Sequence, residues 1–222
     1  MAETRRVRSK RKKKNMKQEI LDRIKKLGGN IEQAKGNSLQ ENLLSISFDT
    51  VLYPRPTDTS WSSAEDEEPI YGIGEFVDDN MELLRSNQQA FYDKLVEKYF
   101  CLTEVGYGQT FWTAKLFTPY KEGTEDYEEW NTYFTDDVNL EEIHKVVDDP
   151  KPDFVQLFYG YSFPDHLYIC LSDPNPENPT VFGTDHETFF NEINNVGNLE
   201  DFLKRFMTKE EVIELVRKAL ER

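Results

Sequence analysis

Two aromatic-rich apolar runs, DFVQLFYGYSF (153–163) and HLYICLSD (166–173), flank a turn at Pro164 and Asp165. They constrain the fold more than any other feature. β-Branched and aromatic residues fit a pleated, half-buried surface, and a short turn between two such runs makes them an antiparallel pair. FWTAKLF (111–117) alternates enough for another strand, LLSISF (43–48) has strand composition, and TVFG (180–183) is a short strand after the loop DPNPENP (173–179).

Helical spacing brackets these strands. Ile20, Leu21, Ile24 and Leu27 recur on one face, with Gly28 and Gly29 as a stop. Asp79 opens a long helix, DNMELLRSNQQAFYDKLVEKYF, with Leu83, Leu84, Phe91, Leu95, Val96 and Tyr99 along its apolar stripe. A short helix is expected within 120–137. Another is expected at NLEEIHKVVDD, ended by Pro150 and Pro152. Asp185 is placed to cap a helix HETFFNEI with Gly197 as its stop, and Asn198 to cap LEDFLKRF. Thr208 and Glu211 have capping-box spacing before Val212, Ile213, Val216, Ala219 and Leu220. Tyr53 to Pro69, with Pro54, Pro56 and acids at 65–68, reads as an irregular loop. The sum is an α+β fold, a mostly antiparallel sheet packed by helices, in one domain from 16 to 222 after a basic tail at 1–15.

Charge divides the chain. Residues 1–14 hold Arg5, Arg6, Arg8, Lys10, Arg11, Lys12, Lys13 and Lys14 against Glu3, a charge of +7, so the rest carries -22 of the net -15. The tail reads as a solvated disordered arm, a nucleic-acid or nuclear-targeting patch, or an extension upstream of a start at Met16. The acidic body repels phosphates and attracts basic proteins. A nucleic-acid role is therefore confined to Arg5–Lys14. No apolar run approaches a membrane span, and Cys101 and Cys170 lie in apolar stretches as buried thiols of a reducing, cytoplasmic protein.

The run FYGYSFPDHLYICLSDPNPENPTVFGTDHETFFNEI followed by GNLEDFLKRF resembles the SUKH superfamily, which includes bacterial immunity proteins against polymorphic toxins and a fungal regulator of glucan synthesis. The similarity covers 153–206: the strand pair, the proline-bearing loop after Asp173, the strand at Val181 and Phe182, Asp185-His186-Glu187, and the helix of Phe202 and Leu203. It implies a helix-packed sheet, no cofactor, and work done by binding a protein partner.

Catalytic signatures are incomplete. Gly160-Tyr-Ser162-Phe-Pro164 lacks the second glycine of a nucleophile elbow, and His186-Glu187 meets Phe190 where a zincin has its second histidine. Gly72-x-Gly74 and Gly106-x-Gly108 lack the remainder of a phosphate loop. His144, His166 and His186 lack ligand spacing, so no catalytic, metal or cofactor residue is assigned. An undetected metal-assisted enzyme using His166, His186 and nearby acids stays an alternative. The segment 120–137 carries the candidate partner surface: Tyr120, Glu125, Asp126, Tyr127, Glu128, Glu129, Trp130, Asp136 and Asp137. Aromatics supply contact area and carboxylates supply steering toward a basic toxin domain. The spacing of Trp130, Tyr133 and Phe134 equally fits a buried helix face. The leading expectation is an immunity protein that neutralises a toxin by binding; a regulatory or scaffold domain without a toxin partner is the other binding reading.

Overall fold

The computed structural model describes residues 16–56, 70–105, 108–161 and 165–221. The basic tail, most of the proline-bearing loop from Tyr53 to Pro69, Gly106, Ser162 and Pro164 lie outside them. No helix among the described residues is long and apolar enough to cross a membrane.

In chain order the elements are α1 (Gln18–Lys26), β1 (Gly29–Asn30), α2 (Leu39–Ser45), β2 (Ser47–Phe48), β3 (Tyr53–Pro54), α3 (Ile73–Asp79), α4 (Met81–Ser86), α5 (Gln88–Tyr99), β4 (Thr110–Phe117), α6 (Glu125–Asp136), α7 (Glu141–His144), β5 (Phe154–Gly160), β6 (His166–Cys170), β7 (Thr180–Thr184), β8 (Asn194–Asn198), α8 (Leu199–Lys204), β9 (Phe206–Met207) and α9 (Lys209–Leu220). β4 to β8 form a five-stranded antiparallel sheet in sequence order. The chain is α+β, with helices on both faces of that sheet.

Strand alternation divides the sheet into two cores. Leu167, Ile169 and Leu171 face α1, α2 and α8 with Val155, Val181, Leu199 and Leu203, whereas Tyr168 and Cys170 face Phe117, Phe134, Ile143, Phe182 and Phe190 under α6 and α7. A bulge between Gln156 and Phe158 explains why the consecutive Leu157 and Phe158 share the first core. A third core lies beyond the β4 edge. There α3, α5 and α9 bury Phe76, Phe91, Leu95, Tyr99, Val212 and Val216, tied to the sheet by the Leu52–Thr110 bridge and the β3–β9 pair.

Several local expectations hold. Gly28 ends α1 at φ 98°, a conformation that favours glycine, and Asn198 accepts from the Asp201 amide to cap α8. The Thr208–Glu211 capping box closes both ways, with bonds of 3.2 and 2.8 Å. Thr208→Ala should destabilise the domain by about 1 kcal/mol in urea titration, with an unchanged m value.

Five expectations are corrected. LLSISF is not a strand through its length: Ser38 caps a helix through the Glu41 amide at 3.1 Å, and Leu39, Leu43 and Ile46 follow helical spacing into the first core, leaving only Ser47–Phe48 extended. The long helix from Asp79 is instead broken at asparagines. Asn80 turns its amide back to the Phe76 carbonyl and takes Lys94 Nζ on its oxygen, while Asn87 caps α5 through the Ala90 amide at 3.1 Å. Asn80 thereby covers a carbonyl left open at the end of α3, and Asn87 an amide left open at the start of α5.

HETFFNEI forms only a 3-10 turn, Phe189–Asn191. Asp185 still caps it, accepting from the amides of Glu187 and Thr188 and from the Thr188 hydroxyl, but Phe189 at φ 44° stops the helix. Gly197, read as the stop of that helix, lies instead in the edge strand β8. A register shift there and Arg205 on the Val196 carbonyl at 2.9 Å adapt its outer edge. Finally, Cys170 is buried as expected but Cys101 is half-buried: it follows α5 on a turn, where its thiol lies 3.0 Å from the Lys98 carbonyl.

Candidate functional site

Thr118 follows β4 and starts the turn that launches α6. Its amide and hydroxyl both donate to Asp126 Oδ2, at 2.8 and 3.1 Å, and Thr124 caps the helix through the Tyr127 amide at 3.2 Å. Asp126, one of the candidate partner residues, therefore fixes the helix to the sheet. Tyr120 is likewise a structural anchor, edge-on to Phe134 at 5.4 Å with its hydroxyl pushed up to about 12 by burial.

The inner face of α6 inserts Phe134 among Phe117, Phe189 and Phe190, at centroid separations of 5.4, 6.3 and 4.9 Å. Trp130 and Tyr133 pack half-buried on Phe189, at 5.1 and 5.7 Å. The helical spacing of these aromatics thus reports core packing for Phe134 and a buried margin for the other two.

The opposite face is acidic. Glu125, Glu128, Glu129, Thr132 and Asp136 recur at helical spacing and are all exposed, with Asp137 exposed at the C-terminal end. Among the described residues, none of these five carboxylates lies within ion-pair distance of a cation; the lysine and arginine pairs involve Glu142, Glu200, Asp201, Glu211 and Glu214. Tyr127 is half-buried between the two faces.

Carboxylates also gather where α6 begins. Asp153 is held above the usual carboxylate range chiefly by burial, countered by Lys121 and reinforced by Asp149 and Asp126. Sequence reasoning did not assign this cluster, because Asp149 and Asp153 reach α6 only through the β4–β5 pairing.

The histidines occupy separate settings. His144 is exposed on α7. His186 Nδ1 lies 3.3 Å from Asp165 Oδ1, joining the segment before β6 to the turn after β7 at one end of the strand pair. His166 is half-buried against Tyr159, with Nδ1 2.9 Å from the Gln156 amide nitrogen, which donates to a neutral ring. Among the described residues no group of three or more His, Cys, Asp or Glu is arranged to hold a metal ion.

Burial lowers the His166 value below that of a free histidine, with Asp165 opposing. A histidine depressed in the folded state binds its proton more readily when unfolded. Its contribution to stability is therefore complete above about pH 6.5 and is lost as pH falls from there through the folded value. An NMR pH titration should show His166 protonating below the range of a free histidine, and His166→Gln should flatten part of the acid limb of stability against pH.

Compared with known proteins, the chain matches no family model, no curated protein and no solved structure at a significant level.

Proposed function

We propose that this chain is a non-catalytic protein-binding domain whose acidic α6 face captures a basic protein, with a toxin domain that it neutralises as the leading class of partner. The observation that carries the reading is the two-sided construction of α6. One side is fixed in an aromatic core by Phe134, while the other holds Glu125, Glu128, Glu129, Asp136 and Asp137 exposed and without cationic partners among the described residues. A rigid, uncompensated acidic face raises the encounter rate with a basic partner and orients it. The resemblance of 153–206 to SUKH immunity proteins favours inhibition as the use of that binding; it carries the fold and mode of action, not individual contact residues.

The test is affinity purification of the tagged full chain from its native host, identification of co-purifying proteins, and calorimetry with the purified candidate at low and high salt. A basic toxin domain bound one to one, losing affinity as salt rises, is the expected result. Recovery only of cell-wall or signalling proteins would move the reading to the regulatory branch of the same resemblance. A chain that binds no protein would end it.

A further inference from the structure

The acidic stripe of α6 does not stand alone. On one flank it borders a seam where Trp130 and Tyr133 meet the turn 185–192, and three features mark that seam.

The first is a backbone exception. Phe189 is the non-glycine residue of positive φ among the described residues, at 44°, a conformation in which a bulky side chain is strained. Asp185, with three hydrogen bonds into the turn, and the buried Phe190 hold it there, so the Phe189 ring covers Trp130 and Tyr133. The second is the half-burial of all three rings, which leaves aromatic surface at the domain's exterior. The third is helix polarity. Asp136 and Asp137 stand at the C-terminal end of α6 with no basic residue in its last turn, where carboxylates oppose the negative end of the helix dipole. This placement weakens the free domain and would be relieved by a cation brought from outside.

We propose that the seam of Trp130, Tyr133 and Phe189, rimmed by Glu129, Asp136 and Asp137, is the centre of the docking surface, and that its occupant is a basic protein surface presenting an arginine. A guanidinium stacks on aromatic faces while donating to carboxylates, which matches the two kinds of group the seam offers. The inference rests on the protein-binding reading and narrows it to one flank of α6, adding residues from the 185–192 turn.

The probe is an octa-arginine peptide titrated into the isotope-labelled full chain, with Asp136→Asn/Asp137→Asn compared against Glu82→Gln/Glu97→Gln, which removes the same charge from exposed sites on α4 and α5. Amide shifts should concentrate at 129–137 and 185–192. The seam variant should bind about tenfold more weakly, the control less than about twofold, and the seam variant should melt no lower than the wild type. Shifts centred elsewhere, equal weakening by both variants, or a lowered melting temperature would overturn the proposal. A partner isolated from the host that binds wild type and seam variant equally would refute the seam while leaving the protein-binding reading intact; a wild type that binds no protein would remove both.

Discussion

Phe190→Ala is expected to destabilise the domain by about 3–5 kcal/mol, the range for deleting a buried phenylalanine, and to loosen α6 more than α1 or α9. Phe190 is 1% exposed and its ring lies 4.9 Å from Phe134, 4.9 Å from Tyr168, 5.2 Å from Phe154 and 5.8 Å from Phe117. It is the point at which α6, the sheet and the 3-10 turn share one packing site. Truncation removes apolar burial and leaves a cavity that rings anchored on four different elements, α6, β4, β5 and β6, cannot all close. Urea unfolding should give a lower midpoint, and hydrogen exchange should show the greatest loss of protection in 125–136. Phe190→Leu, which keeps most of the volume, should recover much of the stability. If the alanine variant loses less than about 1 kcal/mol, the aromatic core does not hold the acidic helix in the way described.

The second large effect concerns a polar group. Asp173 is 5% exposed and accepts from the amides of Asn175 and Thr180, at 2.7 and 2.8 Å, where β6 hands over to the proline-bearing loop and the loop to β7. Asp173→Ala leaves two amide donors without their acceptor. At about 1–3 kcal/mol for each amide left unsatisfied, two would lose roughly 2–6 kcal/mol, and with Asn175 exposed and Thr180 half-buried the expected loss is at the lower end, about 2–3 kcal/mol. The loop that would distort also positions Asn178, which bonds Asn198 and the Glu200 amide at the start of α8. Asp173→Asn keeps one acceptor oxygen and should fall between wild type and alanine in the same urea titration. Equal stabilities for all three would mean that water replaces the carboxylate at no cost.

The sequence exposed this loop better than it exposed some regular elements. Proline and asparagine signal a loop through fixed φ and side-chain-to-backbone bonding, which act locally. The capping box of α9 and the cap of α8 are legible for the same reason, and β5 and β6 because their apolar residues serve two cores. β8 gave no such signal. Asn194, Asn195 and Gly197 have little strand preference, and the strand exists because β7 pairs it from the edge. In LLSISF, a short apolar run satisfied both strand and helix patterns, and the Ser38 cap decided between them.

The candidate site was legible in part. Its composition marked 120–137, and the helical spacing of Trp130, Tyr133 and Phe134 carried the core alternative. Asp126 and Tyr120 could not be separated from the exposed acids by composition, since their roles depend on Thr118 and Phe134 in three dimensions. Phe189 could not be assigned to the surface at all from a segment whose spacing suggested a helix.

The most direct test of the account is hydrogen–deuterium exchange on the full chain, free and saturated with the protein partner isolated from its host. Added protection over 125–137 and 185–192, weakened by salt and by Asp136→Asn/Asp137→Asn, is the predicted result. Unchanged exchange there, with protection appearing on α1, α8 or α9 instead, would contradict it.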